Sequence, residues 1–435
     1  MSYLELDTEY GEDDSLQMLR EEVHDFAKNE VRPAALEIDR LGRDEYLDIG
    51  DAGSPFREVM AQMKELGYHS AVIPEEFGGG GLSGREFHVM LEELAWGSSG
   101  FAIALGVDFL PATFASLSFD DEIQESFLDP YLADDAGRYI GCWGVTEPNH
   151  GSELVSSASF TENGIDGASR ENISPPDITI EQDGDEWILN GVKASWVSAA
   201  PAATHCALHA GMDPSNADPG YAVLVPLDAD GVTKGPPIDK LGQRDCPQGE
   251  LVFDDVRVPD CNVVMTPSML HPDTGYVDLT QILCITSSGM AAIATGLARA
   301  AFEEALAYAR EREQSGKPIC EHQSVKAKLY DMFEKVETCR AYSRRVCEHV
   351  FDRNMSAFEF DASHRHALAA QVYCKRTAFE VAHEAVQIHG ANGITRDYPV
   401  EKLFRDARVK LIEDGTCEVL GLESADGVIE NYEVG

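Results

Sequence analysis

The stretch Ile178-Thr-Ile-Glu-Gln-Asp183-Gly184-Asp-Glu-Trp187-Ile-Leu189 decides how this chain is organised. Apolar residues alternate with polar ones on both sides of Asp183-Gly184, a turn dipeptide, so the segment reads as a β-hairpin. On either side of it the texture differs. From about Leu16, with Leu19, Val23, Phe26 and Ala27, the apolar residues recur at helical spacing. From about Asp278 the same period returns as Leu297, Ala301, Ala305 and Tyr308, then Val325, Leu329, Met332, Phe333 and Val336. The order is therefore helix, β, helix.

Working outward gives boundaries. Residues 1–138 form an N-terminal helical domain, with segments around Arg57 to Leu66, Gly84 to Trp96 and Asp121 to Leu132, and with Pro33 bending or interrupting the first helix. The breaker-rich Pro74-Glu75-Glu76-Phe77-Gly78-Gly79-Gly80-Gly81 separates these segments. Residues 139–268 form a middle β domain, with Tyr221 to Leu227 and Glu250 to Val258 as further strands and Asn163 to Pro176 as an extended surface loop. Residues 269–435 form a C-terminal bundle, because long helices with short connections run antiparallel. The fold class is mainly α with a middle β domain.

Composition excludes several functions. The 435 residues are 43% hydrophobic, enough for a large core and two or three domains. Seventy-seven acidic against 34 basic side chains give a formal charge of −43, which argues against nucleic acid and anionic membranes as partners. The acid is spread through every segment, as at Asp44-Glu45 and Asp134-Asp135, and reads as a solvated surface adapted to high salt. No run of eighteen uninterrupted apolar residues suggests a membrane helix, and Met1 to Tyr10 carries no basic or apolar targeting pattern, so a cytoplasmic location is expected. Ten dispersed cysteines without Cys-x-x-Cys spacing read as reduced, packed thiols. His383-Glu384 is followed by a histidine only at His389, which is the wrong spacing for a zinc site on one helical face.

Several short stretches carry chemistry. Trp143-Gly-Val145-Thr146-Glu147-Pro148-Asn-His-Gly151-Ser152 offers backbone amides and hydroxyls after a strand. Asn190-Gly-Val-Lys193-Ala-Ser-Trp196-Val-Ser198 sets an indole and a hydroxyl two apart on one strand face, although a packed aromatic is usually core. Tyr308-Ala-Arg310-Glu-Arg312-Glu-Gln314-Ser315-Gly316-Lys-Pro-Ile reads as a helix with a cationic last turn ending in Gly. Farther on stand Val386-Gln387-Ile-His389-Gly390-Ala-Asn392-Gly393, Tyr398-Pro-Val-Glu-Lys402, Arg405-Asp-Ala-Arg408 and Ile412-Glu413-Asp414-Gly415-Thr416.

Taken in this order and spacing, from Pro74 to Asp414, these stretches resemble the acyl-CoA dehydrogenase family across nearly the whole chain. The resemblance implies a helical domain, a β-barrel-like domain and a four-helix bundle. It implies FAD between the last two, usually a homotetramer, and electrons passed to an electron-transfer flavoprotein in carboxylic or fatty acid catabolism. It places Trp143, Val145 and Thr146 along the flavin ring, Trp196 and Ser198 near N5, and Thr416 and Glu418 among the cofactor contacts. Arg312, Gln387, Gly390, Asn392 and Gly393 would hold pyrophosphate and adenosine from a neighbouring subunit, and Ser152 and Gly415 would meet substrate. Ser198 stands where many members have Thr, one extra residue lies between Lys193 and Trp196, and Ser315 replaces a usual Phe.

The catalytic base follows from the same comparison. Where members often carry Tyr-Glu-Gly-Thr, this chain has Glu413-Asp414-Gly415-Thr416, which aligns Asp414 with the base and leaves Glu413 as the alternative. Thr286, at a second base position used by some members, cannot act as one. Cys284 and Ser287 replace an Asp and an Arg near the substrate, so the pocket departs from the straight-chain pattern, and Glu-Asp-Gly with Gly-Lys-Pro-Ile looks like the subgroup acting on alicyclic or branched thioesters. Asp108 reads as an exposed helical carboxylate, or as a second acid in a ring-oxidising member. The rivals are a relative catalysing elimination, an oxidase, and a non-catalytic FAD or acyl-CoA binding protein. No Rossmann glycine fingerprint points to a nicotinamide cofactor.

Overall fold

A computed structural model describes residues 14–118, 120–152, 176–211, 221–266, 279–354, 360–432 and 434. The amino-terminal stretch Met1 to Tyr10 and nearly all of the loop expected at 163–176 lie outside the described residues.

The N-terminal part is helical: α1 (Asp14–Phe26), α2 (Arg32–Arg40), α3 (Pro55–Glu65), α4 (Gly84–Gly97), α5 (Ser99–Asp108) and α6 (Leu110–Ser118), followed by helical turns over 121–132. The α-helical run that starts at Asp14 is interrupted just ahead of Pro33, as the proline suggested. A π-turn over Ala27–Val31 widens the backbone, and Pro33 falls in the first turn of α2, where its missing N–H is harmless. Ser83 caps α4 reciprocally with Glu86, which fixes where that helix starts.

The β part comprises β1 (Gly141–Gly144), β2 (Ile178–Asp183), β3 (Glu186–Ser198), β4 (His205–Ala210), β5 (Tyr221–Pro226), β6 (Val232–Lys234), β7 (Gln248–Pro259) and β8 (Val263–Met265). One sheet has the order β1-β4-β5-β8 and the other β2-β3-β7-β6. The hairpin β2–β3 closes through a two-residue turn, with Asp183 opposite Glu186. On β3 the register slips. Lys193 faces Leu251 but Val197 faces Gly249, so four steps on β3 answer two on β7, and the resulting bulge re-aims the strand end.

The C-terminal part contains α7 (Leu279–Glu311), the two-residue strands β9 (Glu313–Gln314) and β10 (Lys317–Pro318), α8 (Gln323–Asn354), α9 (Phe360–His389), α10 (Val400–Lys410) and α11 (Cys417–Asn431). The helix expected to run to Gly316 ends earlier, at Glu311. Ser315 and Gly316, both with positive φ, instead form the turn of the β9–β10 hairpin.

α4 packs into the bundle against α7 and α8. Gly296 makes this approach possible, since a Cβ there would stand 2.2 Å from the Glu92 carbonyl oxygen. The same seam buries charge. Arg299 donates to Glu92 and Glu93 at 2.9 Å each, and Arg340 Nε reaches Glu92 Oε1 at 3.0 Å, so the charges are neutralised where water is excluded.

Among the described residues, two helical stretches, 99–118 and 282–311, are long and apolar enough to cross a membrane by length and composition. The fold buries 78% and 89% of their apolar windows, which marks them as core helices. All ten cysteines are free, and eight are buried.

Candidate active site

Three chain segments converge on the turn at 413–416. The first is the loop after β1. Trp143 lies on that strand beside His209, ring centroids 5.8 Å apart, with its indole N–H buried and without a partner among the described residues. Val145 is buried and Thr146 is partly exposed, while the Thr146 carbonyl accepts from Ala194 N at 3.0 Å. Lys193, fully buried, donates to the Val145 carbonyl and to Glu147, which locks this loop onto β3. Ser152 ends the described part of the loop, and its Oγ accepts from Thr416 N at 3.1 Å.

The second segment is the end of β3. Trp196 is 55% exposed and Ser198 partly so, with Val197 buried on the opposite face. The core reading of Trp196 is therefore wrong. The bulge at 193–197 turns this indole outward, where its flat face is available to a planar group. Gln248 Nε2 donates to Ser198 Oγ at 3.1 Å and to the Trp196 carbonyl at 3.0 Å, and its own carbonyl accepts from Lys240. A few residues along the same loop, Gln243 Nε2 donates to Glu413 Oε1 at 3.0 Å. The strand carrying Ser198 is thus linked to the turn carrying the two candidate bases.

The third segment is the turn itself, after α10. Asp414 (φ 51°) and Gly415 (φ 81°) are both left-handed, and a Cβ on Gly415 would lie 2.7 Å from Leu420, so Gly is required there. Thr416 caps α11 by accepting from Val419 N at 3.4 Å, and Glu418 is exposed.

The two carboxylates have different surroundings. Burial pushes Glu413 up, but the Lys410 charge 3.1 Å away, the Gln243 hydrogen bond and Lys375 outweigh it, and its carboxyl is held below the usual range. Asp414 is pushed above its ordinary value by burial, reinforced by the Glu413 charge and opposed by Lys375 and Lys410. Its carboxylate meets Gln371 Nε2 at 3.3 Å, a long contact. Glu413 is therefore committed to an ion pair and a hydrogen bond, whereas the Asp414 carboxyl, raised by burial, holds a proton more readily than a free aspartate does.

The second expected set lies elsewhere. Arg312, Gln387 and Gly390 are exposed, Gly393 is buried, and Asn392 is held by Tyr308 OH at 3.0 Å. Along α9, Gln371 beside Asp414 and Gln387 are sixteen positions apart, about 24 Å at 1.5 Å per residue. Within one chain this group and the turn at 413–416 occupy distant parts of the bundle.

Asp108 requires correction. It is fully buried, not exposed: its carboxylate accepts from Lys64 Nζ and Tyr131 OH at 2.9 Å and from Gly141 N at 2.7 Å. These bonds fasten α5 to α3 and to the start of β1, so the carboxylate is a structural anchor and not a second acid. Thr286 Oγ1 bonds the Leu283 carbonyl within α7. Cys284 and Ser287 are buried, and Cys284 lies 3.7 Å from His364.

The sequence reading missed Gln371, Lys375, Lys410, Gln243 and Gln248. Gln371 and Lys375 stand i, i+4 on one helix face, a signal present in the sequence. The loop donors have no such signature.

FAD fits what this surface offers: an indole N–H buried without a partner, a second indole turned outward, and hydroxyls at Thr146 and Ser198. Comparison with known proteins agrees. Family models for the acyl-CoA dehydrogenase N-terminal, middle and C-terminal domains match residues 13–134, 142–256 and 276–429. The chain is 29% identical to the short-chain specific mitochondrial acyl-CoA dehydrogenase of Rattus norvegicus over 418 residues, covering 96% of this chain and 90% of that protein. It is 31% identical to a probable acyl-CoA dehydrogenase, YngJ, of Bacillus subtilis over 407 residues, covering 93% and 95%. The butyryl-CoA dehydrogenase structure from Megasphaera elsdenii superposes with a TM-score of 0.78 at 27% identity, covering 96% of this chain and 99% of that one. Matched in all three of its parts, this chain belongs to the acyl-CoA dehydrogenase family of FAD-using oxidoreductases.

Proposed function

We propose that the protein dehydrogenates an acyl-CoA thioester between its α and β carbons, with Asp414 taking the α-proton. The observation that carries the choice of base is the contrast within the turn: Glu413 is paired with Lys410 and Gln243, while the Asp414 carboxylate is met by a long contact from Gln371. A thioester α-proton is weakly acidic, so the base must work on a carbonyl already polarised by a donor, a role the resemblance assigns to the backbone amide of the base residue. Burial that raises the carboxylate brings it closer to its target in proton affinity. Bound FAD would supply the acceptor for the hydride that leaves the β-carbon. Trp143, Val145 and Thr146 on one side and Trp196 and Ser198 on the other would hold the ring, with Thr416 and Glu418 nearby. Ser152 and Gly415 would border the substrate.

The reading extends to assembly and partners. Arg312, Gln387, Gly390, Asn392 and Gly393 would serve the cofactor of a neighbouring subunit in a homotetramer. The distance of about 24 Å along α9 supports this, as do Tyr330, Phe333 and Ile394, 63%, 45% and 77% exposed on a single chain. Electrons would pass to an electron-transfer flavoprotein. Glu413-Asp414-Gly415 with Gly316-Lys-Pro-Ile favours a branched or alicyclic acyl group, in a pocket that Cys284 and Ser287 set apart from the straight-chain pattern, and the net charge of −43 favours a salt-adapted surface.

The test is anaerobic bleaching of the bound flavin, in high salt, with butyryl-CoA, isobutyryl-CoA and cyclohexane-1-carboxyl-CoA. Bleaching by one of them supports the reading and names the acyl class. Bound flavin that no thioester bleaches would overturn it.

A further inference from the structure

The turn that carries Asp414 is not held by backbone pairing alone. Three successive carbonyl oxygens, those of Glu413, Asp414 and Gly415, are met by two side chains from one face of α9. Lys375 Nζ donates to Glu413 O at 2.6 Å and to Gly415 O at 3.3 Å, and Gln371 Nε2 donates to Asp414 O at 3.0 Å. Two left-handed residues in a row shape the turn that presents these carbonyls to the helix, Gly415 O in buried and the other two in part-buried surroundings.

Lys375 is fully buried, and among the described residues its hydrogen bonds go to carbonyls and not to a carboxylate. Carbonyl dipoles solvate an ammonium without cancelling its net charge, so its field reaches the neighbouring carboxylates. We propose that Lys375 is a positioning residue for the base: its ammonium fixes the turn that aims Asp414 and supplies the positive charge against which that carboxylate ionises. The inference rests on Asp414 being the base.

Other charges face the same place. Lys410 from α10 also acts on Asp414, but it is paired with Glu413, 3.1 Å away. Glu413 adjoins Asp414 in the chain, Cys417 follows it, and Lys240 lies within reach of the charges of both Glu413 and Asp406. Lys375 alone among them bonds the backbone on both sides of Asp414. If the lysine only satisfied orphan carbonyls, its loss would loosen the turn and slow the reaction equally at every pH. If its charge also tunes the base, the pH dependence must move.

The experiment is stopped-flow reduction of the bound flavin by whichever of the three thioesters bleaches the wild type fastest, from acid to alkaline pH. Wild type, Lys375→Met, Lys375→Gln, Lys375→Arg and Asp414→Asn holoenzymes are compared. Losing one nearby charge should raise the kinetic pKa of Lys375→Met and Lys375→Gln by about one unit, with roughly tenfold slower reduction on the acid side that recovers toward high pH. Lys375→Arg should keep the wild-type pKa. Should Lys375→Met fail to retain flavin, Lys375→Gln, which still offers a donor without charge, is read in its place. An unchanged kinetic pKa in the neutral variants, with a uniform fall in rate, would overturn the proposal. Reduction that survives in Asp414→Asn would instead remove the base assignment, whatever the Lys375 variants do.

Discussion

Ser152 Oγ accepts a hydrogen bond from Thr416 N across 3.1 Å, joining residues 264 positions apart. This bond ties the loop after β1 to the turn that carries both candidate bases. Ser152→Ala should leave that amide without its partner and cost about 1 kcal/mol of stability. Because the bond orients the turn, flavin reduction should also slow several-fold. Denaturant unfolding and stopped-flow reduction read the two effects, and an unaltered rate would show that the turn holds its position without Ser152.

The two carboxylates at the turn should respond differently to neutralisation. Asp414→Asn should lower the rate of flavin reduction by roughly 10²–10⁴, the contribution of a general base. Glu413→Gln should retain catalysis but lose stability, since it leaves Lys410 buried beside a neutral group. Single-turnover bleaching separates them, and the assignment of roles would reverse if Glu413→Gln were the inactive variant.

The same pair predicts how stability depends on pH. Asp414 has a folded-state pKa raised above its unfolded value of 3.8, so the folded protein binds this proton more tightly. Its contribution is present below that value and is lost as pH rises through the folded pKa. Glu413 is lowered below 4.5, so its contribution is present above that value and is lost as pH falls through the folded pKa. At neutral pH, Asp414→Asn should therefore be more stable than wild type while less active, and its advantage should shrink as pH falls through the folded pKa and be gone below the unfolded value of 3.8. Urea melts of the two proteins across pH measure this, and a destabilised Asn variant at pH 7 would contradict it.

Asp108→Asn should be costly for the fold. Removing the charge leaves Lys64 fully buried with no compensating anion described beside it, a loss of about 3–5 kcal/mol. Protein that remains folded should reduce its flavin at nearly the wild-type rate, because the carboxylate is enclosed by Lys64, Tyr131 and Gly141. A stable variant with abolished turnover would return Asp108 to the active site.

Trp196→Ala should behave in the opposite way. With 55% of the residue exposed, its removal should change the stability of the flavin-free chain by no more than about 0.5 kcal/mol. Flavin retention should weaken, since the indole is the outward-facing flat surface at the end of β3. Equilibrium dialysis against FAD checks the second effect, and unchanged retention would place the ring elsewhere.

The sequence by itself determined the helix, β, helix order and the family. Long apolar periods such as Leu297, Ala301 and Ala305 have few other ways to be buried, and the alternation around Asp183-Gly184 needs no tertiary information. It also narrowed the base to two adjacent carboxylates. Only the tertiary structure decided what distinguishes them, because the charge of Lys410, the donor at Gln243 and the clamp from α9 come from segments remote in the chain. The same is true of Asp108 and Trp196. Composition makes a helical Asp exposed and a strand Trp buried, and the fold reversed both. Lys64, Tyr131 and Gly141 met the carboxylate inside, and a two-residue bulge, set by the register against β7, turned the indole out.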